Sequence, residues 1–477
     1  MTATVTGSDA DVRHRRLPGP DSFWWVGAAG VAFVAAELLF VSPRMGLSWD
    51  ETVYVSQVTV GHGGGHVPAA WFDPPRARGV PLLVAPVAYL TGSIVALRVY
   101  LSVLAGTGLV LALLVWRPLR PAWVLALAGV AFGGLWVAQY YGPQAMPDMW
   151  SAVGALAAVG FFLRKSALAL GGCVAFVTLM RPGDAVFLAV PLLVAVLVVR
   201  SWRRWELAVA VLGGLVAGGA EWVIEAIIRF GGVFARLHAA GAEQSGFGLH
   251  LGAVLDELKA LNGPTLCRPC TIGYRQPELD LWWLLLPVLV VLGVIAARRT
   301  SRSPGPTALG SAALPAVCGV CLAAQYLFMI DYAAPRFLLP AYAVLAIPVA
   351  DGLGWLITGV RPDLRVAMAA VVVCFGFAQL AAQHIVLDHE AGGTVTFHQD
   401  YSLIAARLAA LGVRPPCVVS GVQYIPIAFY AGCASTGSAG RPAVLVASGH
   451  KPPPFARHWH AYRVRGTTVL QVVAYTP

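Results

Sequence analysis

The sequence predicts an α-helical polytopic membrane protein with about eleven transmembrane helices and a small extracytoplasmic α/β domain at its C-terminus. Three observations lead to this prediction. The 477-residue chain is 58% hydrophobic and only 12% charged, whereas a soluble globular chain is about one quarter charged. It contains many uncharged stretches of roughly 18–22 residues, and a helix of that length crosses about 30 Å of hydrocarbon. Its basic residues cluster in the short links between these stretches.

The uncharged stretches define the expected spans, which are predicted to be helical because backbone polar groups must be paired inside lipid. The first stretch follows an N-terminal segment, 1–21, and has no clear cleavage site behind it, so we expect a retained helix and not a signal peptide. The predicted spans are 22–42, 98–116, 121–140, 148–163, 167–180, 184–200, 206–228, 281–297, 308–330, 337–358 and 364–386.

The basic clusters predict the orientation. If the N-terminus is cytoplasmic, every cluster faces the cytoplasm, as the positive-inside rule requires. An odd number of spans then places the C-terminus outside. The net charge of +10 is explained by these links, so no nucleic-acid partner is expected. The Ala-, Gly-, Val- and Arg-rich composition favours a bacterial plasma membrane, with a eukaryotic reticulum membrane as the alternative. The clusters are Arg13/Arg15/Arg16, Arg117/Arg120, Arg164/Lys165, Arg200/Arg203/Arg204, Arg298/Arg299/Arg302 and Arg361/Arg365.

Three extracytoplasmic segments are too long to be simple connectors. The predicted membrane domain, 22–386, carries two outer loops, 43–97 and 229–280. Within the first loop the apolar run Val80–Leu97 contains two prolines and is expected to lie at the outer membrane interface. The third segment, 387–477, alternates helical and β-branched patterns, which favours a small α/β domain. Its predicted elements are a helix at Tyr401–Leu411, a strand at Cys417–Ser420, a helix at Val422–Tyr430 and strands at Ala443–Val446 and Thr467–Ala474.

An acidic pair, Asp50 and Glu51, follows the first span directly and is flanked by Trp49 and Tyr54. Carboxylates are scarce in this chain, and a charge near lipid is costly unless it is paired or used. A carboxylate there could take the proton of an attacking hydroxyl. The alternative is that the pair caps the helix that follows, since acidic residues suit helix N-termini.

The motif Ser48-Trp49-Asp50-Glu51-Thr52-Val53-Tyr54, at this position in this topology, resembles the GT-C class of glycosyltransferases. The resemblance is strongest to the group of protein O-mannosyltransferases and bacterial aminoarabinose transferases, glycosyltransferase family 39. Further segments resemble positions of that group, namely Asp73-Pro74-Pro75-Arg76, Gly79-Val80-Pro81-Leu82-Leu83, Tyr140-Tyr141 to Pro147-Asp148, Arg181-Pro182, and Tyr332 with Arg336. The resemblance covers the first third of the chain well and only the architecture of the rest.

The resemblance implies a polyprenyl-phosphate-linked sugar as donor and a glycan, lipid or protein as acceptor, with inversion at the anomeric carbon. It implies Asp50 as the base, with Glu51 orienting it, and it allows Asp50 and Glu51 to help hold a divalent metal, Mg or Mn. Asp148 would hold the acceptor or share that metal. Arg181 and Arg336 would neutralise the lipid phosphate, a role suited to the guanidinium fork, although either could instead extend to the interface. The remaining substrate-binding candidates are Tyr54, Arg76, Tyr141 and Tyr332.

Other polar residues leave alternatives open. Glu37, Glu221 and Glu225 could face a substrate cavity or pair with a buried arginine such as Arg98. Asp184 could cap the sixth span or pair with Arg181. His62 and His66 have a spacing that permits metal binding, but no further ligand is evident, so a solvated loop is favoured; the same holds for His450, His458 and His460 in the tail.

Four of the eight cysteines lie outside the spans. Cys267 and Cys270, in a segment expected in an oxidising compartment, predict a local disulfide, with a redox pair as the alternative. Cys417 and Cys433 could form a second disulfide, which spacing alone does not establish. The other four, Cys173, Cys318, Cys321 and Cys374, are expected to pack as small apolar side chains.

Two other function classes compete with a transferase. A transporter or flippase of lipid-linked intermediates would favour internal repeats and polar groups in mid-membrane. The sequence contains no evident repeat, and its polar groups collect at the outer face. A non-catalytic scaffold or sensor would tolerate replacement of Asp50.

Overall fold

The computed structural model describes residues 22–42, 45–58, 76–243, 248–274, 276–300, 306–435, 444–448 and 452–477. The predicted cytoplasmic segment 1–21, the His62/His66 pair, Asp73–Pro75 and His450 lie outside these residues. The described chain is mainly helical, with one small sheet near the C-terminus.

The described part of the first half of the chain is mainly helical. They are α1 (Trp24–Phe40), α2 (Trp49–Ser56), α3 (Gly79–Ala88), α4 (Ile94–Leu114), α5 (Ala122–Gly133), α6 (Trp136–Tyr141), α7 (Asp148–Leu163), α8 (Ala167–Met180) and α9 (Pro182–Val198). The second half adds α10 (Trp205–Phe230), α11 (Val233–Glu243), α12 (Ala253–Ala260), α13 (Leu281–Thr300), α14 (Pro306–Phe328), α15 (Leu339–Thr358), α16 (Arg365–Ala410) and α17 (Tyr424–Ala431).

Within the described part of the chain, six helical segments are long and apolar enough to cross a membrane, which places the protein in one. They are Ile94–Leu114, Trp205–Phe230, Pro277–Ala297, Gly310–Phe328, Pro335–Thr358 and Pro362–Ala410. The other predicted spans also coincide with apolar helices, but these are 10–17 residues long, so the structure does not confirm a count of eleven. The predicted span 121–140 is interrupted, because α5 ends at Gly133 and α6 begins at Trp136.

The interfacial helix predicted at Val80–Leu97 is wrong in its extent. Helix α3 ends at Ala88, and a new helix, α4, begins at Ile94. The hydroxyl oxygen of Ser93 accepts a hydrogen bond from the N–H of Ala96 at 3.3 Å, which is an N-cap contact. The second predicted span therefore begins before Arg98 and carries that arginine one turn inside α4.

Helices α7 and α15 lie at the centre of the bundle, and most of their residues are buried. Small residues allow close approach, since a Cβ at Gly293 of α13 would lie 1.9 Å from the carbonyl oxygen of Pro348 in α15. One end of the bundle, called the site end below, carries the start of α7 and the end of α8. Near the other end Arg120 donates to both carboxylate oxygens of Asp351, at 2.9 and 2.8 Å.

Helix α16 is continuous for 46 residues, so it runs through the predicted domain boundary at 386 and includes all but the last residue of the helix predicted at Tyr401–Leu411. It leads into a five-stranded sheet of order β2-β1-β3-β5-β4. The strands are β1 (Val418–Gly421), β2 (Ala434–Ser435), β3 (Val444–Ala447), β4 (His460–Arg463) and β5 (Val473–Thr476). β2 and β3 pair parallel with β1, and β5 pairs antiparallel with β3 and β4. The predicted strand at Thr467–Ala474 is too early, and β2 and β4 were not predicted.

The C-terminal domain packs directly on α2, the helix that carries the acidic pair. The ring centroids of Trp49 and Tyr424 lie 5.0 Å apart, edge to face. The N–H of Leu47 donates to the hydroxyl oxygen of Tyr430 at 3.0 Å. Helix α17 contacts β1 and β2 on its other side. The C-terminal domain therefore packs against α2 and is not a separate module.

Candidate active site

Two acidic and three basic side chains converge at the site end of the bundle from different helix ends. Each comes from a first turn, a last turn or a short connecting turn, where a side chain can leave the helix packing and face the same space. They are Asp50 in the first turn of α2, Arg76 before α3, Asp148 at the first position of α7, Arg181 between α8 and α9, and Arg336 in the 3₁₀ turn Pro335–Leu338.

Glu51 and Arg98 form a fully buried ion pair beneath this group, and both side chains are 0% exposed. The two Glu51 oxygens accept from both terminal nitrogens of Arg98, one of them at 2.9 Å. They also accept from the N–H groups of Ser48 at 3.0 Å and Ala145 at 2.8 Å. Ser48 and Glu51 form a capping box at the start of α2. Glu51 therefore joins α2 to α4 and to the link before α7.

Asp50, the neighbour of Glu51, points instead into the group of arginines. Its two carboxylate oxygens accept separate bonds, one from Arg76 at 2.6 Å and one from Arg336 at 3.0 Å. The side chain is 23% exposed, so it remains accessible to a reactant. Burial acts to raise the pKa of Asp50, but the Arg76 and Arg336 cations outweigh it and hold the pKa below its ordinary value.

Asp148 lies on the other side of Arg336. One of its oxygens accepts from Arg181 at 2.7 Å, and the other lies 3.7 Å from Nε of Arg336. Arg181 also donates to the Tyr326 hydroxyl at 3.3 Å, and that hydroxyl donates to Asp184. Asp184 lies in the first turn of α9 and also pairs with Arg181, at 4.0 Å. Arg336 is thus shared between the two carboxylates of the site.

The predicted tyrosines lie beside the cations of the site. The guanidinium of Arg76 lies 5.3 Å from the ring centroid of Tyr54, and that of Arg336 lies 5.7 Å from Tyr141. Tyr332 is 6% exposed and lies 4.8 Å under the guanidinium of Arg268. All three present aromatic rings to arginines, a favourable cation–π arrangement.

The segment that carries Arg336 is clamped by part of the segment 229–280, which was predicted to be an outer loop. Cys267 exchanges two backbone hydrogen bonds with Ala333, at 2.9 and 3.2 Å, while Cys267 and Cys270 form a disulfide with an S–S distance of 2.05 Å. The N–H of Ala334 donates to the fully buried carboxyl of Glu257 at 3.1 Å. Burial raises the pKa of Glu257 to about 8.

A further set of contacts fixes Arg76 and confirms for Glu225 the predicted pairing with a buried arginine, although that arginine is Arg236 and not Arg98. The Arg98 guanidinium is occupied by Glu51, while Glu225 binds Arg78, Arg229 and Arg236 instead. Glu221 lies 3.8 Å from Arg78, and Glu37 is buried within α1. The buried Arg236 also donates to the backbone carbonyl of Arg76 at 3.1 Å. The second predicted disulfide, Cys417–Cys433, forms as well.

The carboxylates suggested for a divalent metal do not fit one well. Both oxygens of Asp50 are bonded to arginines, and Glu51 is enclosed by Arg98 and two backbone N–H groups. Mg²⁺ and Mn²⁺ require several oxygen ligands around one point. Among the described residues no group of three or more His, Cys, Asp or Glu side chains is arranged to hold a metal. The metal stays a prediction that this arrangement does not favour.

Sequence reasoning missed several residues that shape the site. Tyr326 connects Arg181 to Asp184, Arg236 holds the Arg76 backbone, and Glu257 holds the turn before Arg336. Glu257 could have been noticed, because carboxylates are scarce and it lies in an outer loop. No local pattern marks Tyr326, since a tyrosine near the end of an apolar helix is also typical of a membrane interface.

No protein-family model matches the sequence, and no curated protein matches it. Solved structures nevertheless share its fold. ArnT from Cupriavidus metallidurans, solved bound to undecaprenyl phosphate, has a TM-score of 0.68 at 13% identity, covering 95% of this chain and 98% of that one. The oligosaccharyltransferase AglB from Archaeoglobus fulgidus, solved with an inhibitory peptide and a dolichol-phosphate, has a TM-score of 0.52 at 12% identity, covering 89% and 69%.

A third structure extends the comparison to a larger enzyme. The arabinofuranosyltransferase AftD from Mycobacteria has a TM-score of 0.51 at 12% identity, and the match covers 95% of this chain but 40% of that one. All three similar proteins are GT-C glycosyltransferases. At these identities the likeness concerns the architecture and not the chemistry. The chain therefore has the fold of the GT-C glycosyltransferases.

Proposed function

We propose that this protein is a glycosyltransferase that moves a sugar from a polyprenyl-phosphate donor to an acceptor hydroxyl at the extracytoplasmic face of the plasma membrane. The observation that carries the proposal is the convergence of Asp50 and Asp148 with three arginines at one end of a membrane bundle. The fold supports it, since similar structures contain undecaprenyl phosphate or a dolichol-phosphate.

The donor phosphate would bind the arginines that now hold the two carboxylates. Arg336 is the central candidate, because it reaches Asp50 with one nitrogen and approaches Asp148 with another. Arg181 and Arg76 flank it, and a guanidinium fork pairs well with phosphate oxygens. A phosphate on Arg336 and Arg76 would weaken their pull on Asp50. The basicity of that carboxylate would then rise when the donor is bound.

Asp50 is the proposed general base. The acceptor oxygen would attack the anomeric carbon while the bond from that carbon to the phosphate oxygen breaks. The polyprenyl phosphate would leave with the bonding electron pair, and the hydroxyl proton would pass to a carboxylate oxygen of Asp50. Attack opposite the leaving group inverts the anomeric carbon. A positioned base contributes about 10²–10⁴-fold to such a step.

The other site residues would position the reactants. Glu51, enclosed by Arg98, would fix the direction of Asp50 and not touch the substrate. Asp148 would hold the acceptor hydroxyls and compete with phosphate for Arg336. Tyr54 and Tyr141, which are buried, would support Arg76 and Arg336 beside the sugar, and Tyr332 would line the same end of the bundle. No step of this scheme passes through a metal ion, because the carboxylates are held by arginines.

The acceptor could be a glycan, a lipid or a protein, and a membrane lipid environment is implied by the spans. The transporter or flippase alternative predicts polar groups in mid-membrane. The polar cluster among the described residues lies instead at the ends of helices, at the site end of the bundle. No observation favours the transporter or flippase alternative.

Binding of undecaprenyl phosphate to the purified protein in nanodiscs tests the phosphate site. Arg336→Met should weaken binding by about ten- to one-hundred-fold, since a charge-assisted contact contributes about 1.5–3 kcal/mol. Arg120→Met is a matched control, because Arg120 is also 12% exposed and ion-paired but lies near the opposite end. Equal binding by the Arg336 variant and the wild type would remove Arg336 from the donor site.

A further inference from the structure

The C-terminal domain has an unusual charge composition. From Tyr401 to Pro477 the sequence contains seven Lys and Arg residues and no Asp or Glu. The cations cannot be explained by the positive-inside rule, because this segment follows the last span and is predicted to be extracytoplasmic. The site end, in contrast, pairs its arginines with carboxylates.

Three of the five basic residues that the structure describes in this segment lie at one edge of the sheet, and all three are exposed. We define the basic edge as Arg457–Arg465, which includes the edge strand β4 and ends just before Gly466. Every residue of β4 is exposed, and Tyr462 retains 41% of its surface. The exposed side chains of this edge are Arg457, His458, His460, Ala461, Tyr462, Arg463 and Arg465.

The arginines of the domain have no acidic partner within the described residues. The guanidinium groups of Arg457, Arg463 and Arg465 make no ion pair or hydrogen bond with any other described residue. The nearest carboxylate in sequence, Asp400, is 3% exposed and accepts three backbone N–H bonds, at 2.8, 2.7 and 2.8 Å, from Thr468–Leu470. The positive charge of the basic edge is therefore uncompensated.

The shape of the edge favours recognition by side chains. Strand β4 pairs with β5 on one side only, so its other side is open. It has only four residues, and a short edge strand that carries arginine is poorly suited to accept another peptide strand. Cations do protect edge strands from aggregation, but that purpose does not require every Asp, Glu, Lys or Arg residue after Asp400 to be basic.

We propose that the basic edge binds an anionic polysaccharide. The arginine forks would bind its carboxylate or phosphate groups, and exposed aromatic rings would pack against its sugar rings. Tyr462 and Phe455, which is 43% exposed and packs edge to face with Trp459 at 5.7 Å, are the rings available. An acidic peptide would use the strand edge, which β4 offers over four residues only.

The position of the basic edge suits a long, chain-like ligand. Strand β4 lies at the sheet edge opposite β2, and α17, which packs on β1, β2 and α2, is on the β2 side. A ligand on β4 would therefore lie several strands away from the catalytic helix. A polymer could contact both places, so the bound polysaccharide could also be the acceptor. The idea that this polysaccharide is the acceptor rests on the proposed function, whereas its binding to the basic edge does not.

The test measures binding of polygalacturonate to the full-length protein in nanodiscs of zwitterionic lipid, with neutral dextran and polyglutamate as comparison probes. The wild type should bind polygalacturonate, and this binding should weaken as the salt concentration rises. It should bind dextran and polyglutamate less tightly than polygalacturonate. The double variant Arg463→Glu/Arg465→Glu should weaken binding at least about tenfold. Arg407→Glu/Arg414→Glu is the matched control, since it changes the net charge equally at exposed arginines that are not part of the basic edge.

Equal weakening by the two double variants would overturn the proposal, because the domain's overall charge would then suffice. Tighter binding of polyglutamate, or no binding of polygalacturonate, would also overturn it. Arg457→Glu, outside β4, should weaken binding in the same direction if the strand variant fails to fold. Asp50→Asn should bind the polymer normally even if it abolishes transfer, which separates this proposal from the proposed function.

Discussion

Replacing Glu51 with alanine is expected to destabilise the folded protein and not only to slow the reaction. Glu51 and Arg98 are both 0% exposed, and the carboxylate also accepts two backbone N–H bonds. Without it, Arg98 would stay buried with only the carbonyl groups of Met45, Gly46 and Pro143 as acceptors. Removing one partner of a buried ion pair costs about 3–5 kcal/mol of unfolding free energy.

The assay is chemical denaturation of the purified protein in micelles, followed by tryptophan fluorescence. Glu51→Gln should lose less, about 1–3 kcal/mol, because the amide oxygen can still accept a bond. Arg361→Met is the control, since the Arg361–Asp363 pair is 80% and 59% exposed, and such pairs contribute at most about 1 kcal/mol. A Glu51→Ala protein as stable as the control but inactive would refute the structural role and place Glu51 in the chemistry.

The same pair predicts a dependence on pH. Burial acts to raise the pKa of Glu51, but Arg98 and the backbone N–H groups outweigh it and lower the pKa. The stabilisation is therefore complete above the pKa of the unfolded chain and is lost as pH falls through the lower native pKa. Glu51→Gln should remove this acid-side loss from the denaturation curves.

Three further predictions concern the support of the site. Between the ordinary carboxyl pKa and about pH 8 the native protein holds a proton on Glu257 that the unfolded chain has released, so stability falls as pH rises through that interval. Glu257→Gln should flatten the melting temperature over this range. Cys267→Ser should raise KM for the donor by up to about tenfold, because the two backbone bonds to Ala333, each worth about 1 kcal/mol, would loosen; an unchanged KM would contradict the clamp. Tyr430→Phe should lower unfolding free energy by about 1 kcal/mol, through loss of the bond from Leu47, as measured by denaturation.

The bundle could be predicted from the sequence because hydrophobic runs report burial in lipid or protein directly. Each predicted span coincides with an apolar helix. Hydropathy does not report where a helix stops, however. Helix α16 continues for 24 residues beyond the apolar stretch that ends at 386, because its later turns pack against the C-terminal sheet. The missed strand β4 carries no apolar alternation, since all four of its residues are exposed.

The sequence predicts which residues form the site but not which of them contact one another. The sequence places Asp50, Asp148, Arg181 and Arg336 near one membrane face because all lie at span ends. Adjacent residues of a helix point about 100° apart, so Asp50 and Glu51 must face different surroundings. Which of them faces Arg98 depends on the rotation of α2, and packing against the C-terminal domain fixes that rotation.

Transfer of labelled sugar from a panel of polyprenyl-phosphate donors is the most direct test of the central claim. The assay compares transfer in membranes that carry the wild type with transfer in membranes that carry Asp50→Asn at matched abundance. The endogenous acceptors of those membranes receive the sugar. We expect transfer from at least one donor by the wild type and a loss of about 10²–10⁴-fold in the variant. Equal transfer by both proteins, or no transfer from any donor, would contradict a lipid-phosphate-dependent glycosyltransferase in which Asp50 is the base.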